Sequence, residues 1–191
     1  MKNVLNTIQI LTCCLLPLLL ASCLGKDRAN VLYISVPEQR AVLEHHGEPV
    51  AYYGVSTSKY GLGSQPGSYR TPLGRMEIAK KIGAGKPAGT VFKSRKPTGE
   101  ILPPNAPGRD PIVTRILWLR GLESHNRNAY DRYIYIHGTP EERNIGRAVS
   151  YGCIRMKSAA VIDLYNRVGN GAQVIVANAP LSEMTAESST D

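Results

Sequence analysis

Two stretches decide the fold of this chain and the hypotheses about its function: YIYIHGT at residues 133–139 and SYGCIRM at residues 150–156. In the first, aromatic and aliphatic residues alternate, which is typical of a central β-strand, and the strand is predicted to end at His137. Gly138 follows, where the chain can turn and lie close to a ligand. In the second, the small residues before Cys153 predict a tight turn that leads directly into a helix.

The rest of the chain favours strands and loops around one helix. Its 191 residues include 10 Tyr, 18 Gly and 13 Pro, a composition typical of strand-and-loop proteins. The helix is predicted to begin at Ser158, the candidate N-cap, and to end at Gly169, because apolar residues recur between them at helical spacing. Residues 82–112 are rich in Gly and Pro and are predicted to be a long functional or mobile loop. The predicted fold class is mainly β (α+β), a mixed sheet or β-sandwich with a helix packed on it.

The N-terminus predicts an export signal that is not part of the fold. The apolar run from Ile8 to Ala21 is shorter than the roughly 20 residues of a membrane span and is typical of a signal peptide. It ends in LASC at residues 20–23, which resembles the lipobox of bacterial lipoproteins and implies cleavage before Cys23 and acylation of that residue. An ordinary signal peptide is the alternative. Leu24 resembles an outer-membrane sorting residue, so we expect a periplasmic lipoprotein anchored in a membrane, with the outer membrane favoured.

These patterns divide the chain into four predicted segments. They are a lipoprotein-type signal peptide at 1–22, a tether at 23–30, the catalytic domain at 31–178 and a disordered tail at 179–191. The formal net charge of +8 favours contact with an anionic cell-wall polymer or with anionic lipid headgroups. Export argues against nucleic acid as a partner.

The use of cysteine singles out Cys153. Of the four cysteines, Cys13 and Cys14 lie in the predicted signal peptide and Cys23 is the predicted lipidation site. Cys153 is then the one free thiol of the exported domain, and such a thiol is a liability in an oxidising compartment unless it has a function. A buried structural cysteine is the alternative interpretation.

A nucleophilic role for Cys153 needs a base and a group that stabilises negative charge. A thiol is mostly protonated near neutral pH, and His137 at the end of its strand is the candidate base. The backbone N–H groups of Gly152 and Cys153 in the turn are candidate oxyanion-hole donors. Arg155 is the candidate ligand for a substrate carboxylate, which a guanidinium binds in bidentate fashion.

Together the two stretches resemble the signature of the L,D-transpeptidase catalytic domain (YkuD type), a family that remodels bacterial peptidoglycan. That signature is a His-Gly pair, a spacer, and then Ser-His-Gly-Cys followed by a hydrophobic residue. The resemblance covers roughly residues 31–177 and includes TPLG at residues 71–74. It implies that Cys153 is the nucleophile and that His137 is the general base, oriented by the backbone carbonyl of Gly138.

The resemblance also implies roles for the residues around the thiol. It places the oxyanion hole at the amides of Gly152 and Cys153, and it places Arg155 in the substrate pocket. Ser150 and Tyr151 complete the predicted substrate-binding group, with Ser150 chiefly bracing the turn. Tyr151 stands where many members of the family have a second histidine, so the chain departs from the family pattern there.

The resemblance implies a transferase that acts on peptidoglycan stem peptides without a metal or an organic cofactor. The thiol attacks a tetrapeptide stem, expels its terminal D-Ala and passes the acyl group to an amine of a neighbouring stem. The residues alone leave three alternatives open. They are an L,D-carboxypeptidase or other stem hydrolase that uses the same cysteine, a zinc site drawn from His45, His46, His125 and Cys153, and a non-catalytic wall-binding module.

Overall fold

The computed structural model describes residues 25–188 of the chain. The predicted signal peptide, the predicted lipidation site Cys23 and the last three residues of the predicted tail lie outside this range. Among the described residues, the helices are too short or too polar to cross a lipid bilayer.

The described part of the chain contains ten strands, two α-helices and one short 3-10 helix at Glu142–Asn144. In chain order the elements are β1 (Asn30–Ser35), β2 (Arg40–His45), β3 (Glu48–Gly54), β4 (Gly74–Ile82), β5 (Thr90–Lys93), β6 (Lys96–Ile101), β7 (Ile112–Gly121), β8 (Tyr135–Gly138), β9 (Ile154–Met156), α1 (Ser158–Arg167), β10 (Gln173–Ala177) and α2 (Leu181–Ser188).

One mixed sheet contains all ten described strands. Eight of them follow the order β3-β2-β1-β10-β4-β7-β5-β6, and β8 branches off β7 and carries β9. The pairs β1–β10 and β8–β9 are parallel, and the other pairs are antiparallel. The predicted fold class, mainly β with a mixed sheet and a packed helix, is confirmed.

The sheet buries one face against α1. Strand β1 contributes Leu32 and Ile34 to the main core, and α1 contributes Val161 and Leu164 from its apolar face. Burial of each such side chain stabilises the fold by about 1.5–3 kcal/mol relative to exposure. Because α1 lies against β7 and β8, it supports the strands that border the candidate site.

The beginning of α1 differs in one respect from the prediction. Lys157, and not Ser158, occupies the N-cap position, without a side-chain capping bond. The hydroxyl of Ser158 lies 2.7 Å from Thr114 Oγ1 on β7, and its backbone N–H donates to Glu142 Oε1 at 2.8 Å. A carboxylate from outside the helix therefore accepts a hydrogen bond from a free N–H group of the first turn, where the helix dipole favours negative charge.

The predicted loop at 82–112 contains a hairpin, which corrects the sequence-based expectation. Strands β5 and β6 are joined by Ser94 and Arg95, which both have positive φ (49° and 66°). This is the backbone of a two-residue type I′ turn, which usually carries Asn or Gly. Neither Ser94 nor Arg95 is a residue typical of this turn. Pro97 and Gly99 lie within β6 and are rare in strands, so the sequence of this hairpin resembles that of a loop.

The prediction of a disordered tail at 179–191 is wrong for its central part, which forms α2. Leu181 and Met184 are buried against Tyr33 and Val42. These two residues of β1 and β2 lie on the sheet face that α1 does not cover. A short amphipathic helix removes that apolar surface from water, which a purely polar tail could not do.

The end of the predicted tether at 23–30 is docked on the domain. Asp27 accepts hydrogen bonds from the Gly169 N–H at 2.6 Å and from the side-chain amide of Asn30 at 2.8 Å. The segment from Asp27 onward is therefore fastened to the C-terminal end of α1.

Candidate active site

The candidate base His137 lies in the sheet and is 5% exposed. Side chains alternate along β8, so Ile136 packs in the main core while Tyr135 and His137 face the other side. Ile116 on β7 is the register partner of His137 on one side, and Arg155 on β9 is its partner on the other. Pairing with a strand on each side fixes the position of the His137 backbone in the sheet.

The thiol of Cys153 lies on the same face. Cys153 directly precedes β9, which runs parallel to β8 as its neighbour. It packs against the cluster that contains Tyr135, and its Sγ–H donates to the carbonyl of Tyr133 at 3.3 Å. Cys153 and His137 are therefore diagonal neighbours on adjacent strands, about 5 Å apart strand to strand. A thiol and its general base need this kind of juxtaposition.

The tautomer of His137 is set by Gly138. Nδ1 lies 2.8 Å from the carbonyl oxygen of Gly138, and because that oxygen can only accept, Nδ1 carries the proton. Nε2 is then the unprotonated nitrogen, which can accept a proton from a thiol. Glycine is also required here for steric reasons, because a Cβ at this position would lie 2.7 Å from the carbonyl oxygen of Val113.

The turn before the thiol is braced by Ser150. Its hydroxyl donates to the carbonyl of Cys153 at 2.5 Å and accepts from the N–H of Gly152 at 3.2 Å. Gly152 has a φ of +113°, which favours glycine. The expectation that the Gly152 amide is an oxyanion donor is not met in this structure, because that N–H is already bonded to Ser150.

Thr71, from the TPLG element, is a second brace of the same turn. Its Oγ1 donates to the carbonyl of Gly152 at 3.1 Å and accepts from the N–H of Ser58 at 3.0 Å. The side chain is fully buried. One hydroxyl thus ties three separate chain segments together beside Cys153, a role that the sequence pattern did not indicate.

Arg155, the predicted ligand for a substrate carboxylate, is paired with two acidic side chains of the protein. Its side chain is 9% exposed and lies 2.7 Å from the carboxylate of Asp110 and 3.9 Å from that of Glu141. The hydroxyl of Thr139 donates to the same Asp110. Because its charge is paired within the protein, Arg155 helps to hold β9 beside His137. Neither acid lies in a recognisable motif, so the sequence gives no signal for this network.

Tyr151 is 53% exposed and belongs to a surface group of three tyrosines. Its ring centroid lies 5.6 Å from that of Tyr60 and 6.1 Å from that of Tyr69. Lys59 Nζ lies 4.5 Å from the centroid of the Tyr151 ring and 3.1 Å from its hydroxyl. Tyr151 is therefore accessible to a ligand, as its predicted substrate-binding role requires.

The cluster around the thiol continues into an aromatic wall. Trp118 stacks on Tyr130 with 4.0 Å between centroids, and the exposed ring of Tyr133 lies 5.8 Å from Trp118. Arg95, from the turn between β5 and β6, lies 4.9 Å from the Trp118 ring and 5.0 Å from the Tyr133 ring. In the sequence Arg95 is one basic residue of a predicted loop, so its position over these aromatic rings could not be predicted.

Burial keeps both candidate catalytic groups uncharged. It lowers the pKa of His137 to about 4, with the nearby Arg155 guanidinium acting in the same direction and the hydrogen bond to Gly138 opposing it. It raises the pKa of the Cys153 thiol to about 11, against the effect of the cations Arg155 and Arg132. At neutral pH the resting pair is therefore a thiol and a neutral imidazole, not an ion pair.

The histidines of the zinc alternative are not brought together. His45 and His46 lie at the turn between β2 and β3, while His125 Nε2 lies 3.1 Å from the carbonyl oxygen of Leu73. Within residues 25–188, no three His, Cys, Asp or Glu side chains are grouped so that they could hold a metal ion.

Comparisons with known proteins show the family of the domain. The family model of the YkuD-type L,D-transpeptidase catalytic domain matches residues 29–176. YkuD of Bacillus subtilis (strain 168), named as an L,D-transpeptidase, is 51% identical over 41 residues, which are 22% of this chain and 25% of that protein.

Solved structures share the fold. L,D-transpeptidase 3 from Mycobacterium tuberculosis in complex with a faropenem-derived adduct is 20% identical with a TM-score of 0.50, over 78% of this chain and 60% of that one. An L,D-transpeptidase from Mycobacterium smegmatis is 17% identical with a TM-score of 0.50, over 78% of this chain and 58% of that one. In each of these proteins the matched part is less than two thirds of the whole length.

The fold and the site thus define a cysteine–histidine domain on a mixed sheet. The chain belongs to the YkuD-type L,D-transpeptidase catalytic domain family.

The paired state of Arg155 leads to a prediction about stability. Arg155→Met leaves the Asp110 carboxylate largely buried without its cation, so we expect the free energy of unfolding to fall by about 3 kcal/mol. The double variant Arg155→Met/Asp110→Asn removes both charges and should recover most of that loss. Urea unfolding of the three proteins measures this. Equal losses in the single and double variants would contradict the bracing role.

The pKa of the thiol leads to a prediction about pH. Burial disfavours the thiolate, so the rate of Cys153 alkylation by iodoacetamide should rise steadily with pH through 9 and level off only near 11. In the protein unfolded in urea, the alkylation rate should level off at a pH about two units lower. Mass spectrometry of the peptide that contains Cys153 distinguishes it from the other cysteines. A plateau at or below pH 8 in the folded protein would indicate a resting ion pair instead.

Proposed function

We propose that the chain is an L,D-transpeptidase that acts on peptidoglycan tetrapeptide stems through a Cys153 thioester. The observation that carries this proposal is the position of Cys153 beside His137 on one sheet face, with Nε2 as the unprotonated ring nitrogen. Membership of the family supports the substrate class. The exposed Tyr151 and the half-buried Arg95 offer aromatic surface and positive charge to a stem peptide that carries carboxylates.

The proposed reaction begins from the neutral pair. As the Cys153 sulfur attacks the carbonyl carbon before the terminal D-Ala, His137 Nε2 takes the thiol proton. The imidazolium then gives this proton to the departing D-Ala nitrogen while the C–N bond breaks. Because burial disfavours the imidazolium and the thiolate, proton transfer and attack are expected to be concerted. The Cys153 amide remains the proposed oxyanion donor.

In the second half of the reaction an amine attacks the thioester carbonyl and the C–S bond breaks, which forms a cross-link between stems. If water attacks instead, the product is a trimmed tripeptide and the enzyme is an L,D-carboxypeptidase. The acyl-enzyme is common to both outcomes. The choice between them depends on what binds next to His137.

The acyl-enzyme is tested with a β-lactam trap. A faropenem-derived adduct is named for the Mycobacterium tuberculosis relative, and we expect the full chain to gain a covalent faropenem adduct at Cys153. Cys153→Ala should form no adduct, and His137→Gln should acylate at least about a hundredfold more slowly because it lacks the base. Intact-protein mass spectrometry measures both, with circular dichroism to verify folding. An adduct that persists in Cys153→Ala would overturn the proposed mechanism.

We also propose that the protein is an exported lipoprotein anchored through Cys23, with the outer membrane as the favoured location. The support is the LASC stretch at residues 20–23. In a bacterial host, Cys23→Ser should abolish incorporation of labelled palmitate and release the protein from the membrane fraction. Cys153→Ser serves as the control and should keep its label. Unchanged labelling of Cys23→Ser would rule out this anchor.

A further inference from the structure

Three exposed tyrosines form a contiguous aromatic surface next to the turn that carries Cys153. Tyr60, Tyr69 and Tyr151 are 45%, 58% and 53% exposed. The ring centroids lie 5.9 Å apart for Tyr60 and Tyr69, 5.6 Å for Tyr60 and Tyr151, and 6.1 Å for Tyr69 and Tyr151. Single exposed aromatic side chains are common on proteins, whereas a contiguous exposed patch indicates a binding surface. We call these three residues the tyrosine platform.

The loop that carries two of these tyrosines is held in place by hydrogen bonds. The buried Ser58 hydroxyl donates to the carbonyl of Tyr69 at 2.5 Å and accepts from the N–H of Tyr60 at 3.0 Å. The guanidinium of Arg132 donates to the carbonyl of Arg70 in the same loop at 2.8 Å. The backbone of both tyrosines is therefore positioned before a ligand binds, which reduces the entropic cost of binding.

The backbone of Tyr69 is strained. Its φ is +57°, a value that is unfavourable for a bulky side chain. The exposed ring gains little burial in return, so packing of the fold does not explain why a tyrosine stands at this position. Strain of this kind is concentrated at active sites and ligand-binding sites. The conformation of Tyr69 thus favours a role of its ring in recognition.

The tyrosine platform is continuous with the turn that carries the proposed nucleophile. Tyr151 is separated from Cys153 by Gly152 alone. The backbone N–H of Lys59 donates to the carbonyl of Ser150 at 3.1 Å, which joins the loop to the same turn. None of the three tyrosines belongs to the hydrophobic cluster that contains the thiol. A ligand on the platform therefore lies beside the catalytic turn and leaves the thiol itself uncovered.

The chemistry of the platform fits an uncharged ligand with apolar faces and polar edges. Lys59 provides one ammonium, which lies 4.5 Å from the centroid of the Tyr151 ring and 5.2 Å from that of the Tyr60 ring. The aromatic rings can contact C–H groups, while the phenol hydroxyls and this ammonium can bond to polar groups at the edge of a ligand. Pyranose sugars combine these properties. A ligand with several carboxylates or phosphates would instead require a cluster of cations.

We propose that the tyrosine platform binds the glycan strand of peptidoglycan, a chain of N-acetylated amino sugars, by stacking of pyranose rings on the tyrosines. The choice of polymer rests on the proposed function. The assignment goes further, because it gives the domain a sugar-binding surface separate from the groups that react with the stem peptide. The strand would be held on the platform while one of its stems reaches Cys153.

The test is binding of the full chain to a glycan that carries no stem, so that no turnover is needed. The probe is a β-1,4-linked tetramer of N-acetylglucosamine, titrated by isothermal calorimetry. Two other ligands are measured in parallel, because they represent the other classes of partner. They are the tripeptide stem, which has no D-Ala to lose, and vesicles of phosphatidylglycerol.

We expect the wild type to bind the tetramer. Tyr60→Ala should weaken this binding about fivefold, the loss expected for one aromatic ring contact. Tyr60→Phe keeps the ring and should stay within twofold of the wild type. Tyr52→Ala is the matched control, because Tyr52 is 61% exposed on β3 and lies outside the platform. It should bind the tetramer as the wild type does, and thermal melting verifies that all variants fold.

Three results would overturn the assignment. They are a wild type without saturable binding of the tetramer, a folded Tyr60→Ala that binds it within twofold of the wild type, and a Tyr60→Phe that loses as much as Tyr60→Ala. If Tyr60→Ala lost affinity only for the stem or only for the vesicles, the platform would be a peptide or a membrane surface instead. Binding of the tetramer does not require the thiol. A missing faropenem adduct would therefore refute the proposed function without deciding the platform assignment, which the tetramer titration decides separately.

Discussion

The parallel pairing of β8 with β9 is the constraint on which the site depends. Side chains along a strand alternate between the two faces of the sheet. In this parallel register, Cys153 before β9 and His137 in β8 therefore lie on the same face. A slip of one residue would turn Cys153 into the main core. The braces around the turn, from Ser150 and Thr71, and the packing of α1 against β7 and β8 all serve to keep this register.

The same burial that fixes the pair also sets its chemistry. Burial keeps the thiol and the imidazole neutral, so in the proposed mechanism the nucleophile is generated at the moment of attack and is not stored as a thiolate. A neutral thiol is oxidised less readily than a thiolate. The proposed mechanism therefore relies on the position of His137 Nε2, which depends on the hydrogen bond that Nδ1 donates to the carbonyl of Gly138.

Local patterns predicted the parts of the site that are local in sequence. The alternation before His137, the turn glycine at position 152 and the fold class follow from spacing and residue type, and the structure agrees with them. Strand β8 itself begins at Tyr135, two residues later than the alternation suggests, because Tyr133 adopts a positive φ of 57° in a turn. The bracing of Arg155 could not be predicted, because Asp110 reaches it from a loop 45 residues away in sequence. Helix α2 was missed because its two buried residues find their partners on β1 and β2, far from them in the chain.

The network of Arg155, Asp110 and Glu141 both supports the strands and forms one wall of a cavity of about 500 Å³, whose other wall includes Lys59 and Tyr151. A substitution in this network would remove the charge partner of a largely buried side chain. Lys59 and Tyr151, by contrast, are exposed and contact mainly each other and neighbouring tyrosines. The two walls of the cavity therefore differ in mutational tolerance: a substitution at the exposed wall should cost little free energy of unfolding, whereas one in the charged network leaves a partner charge unpaired.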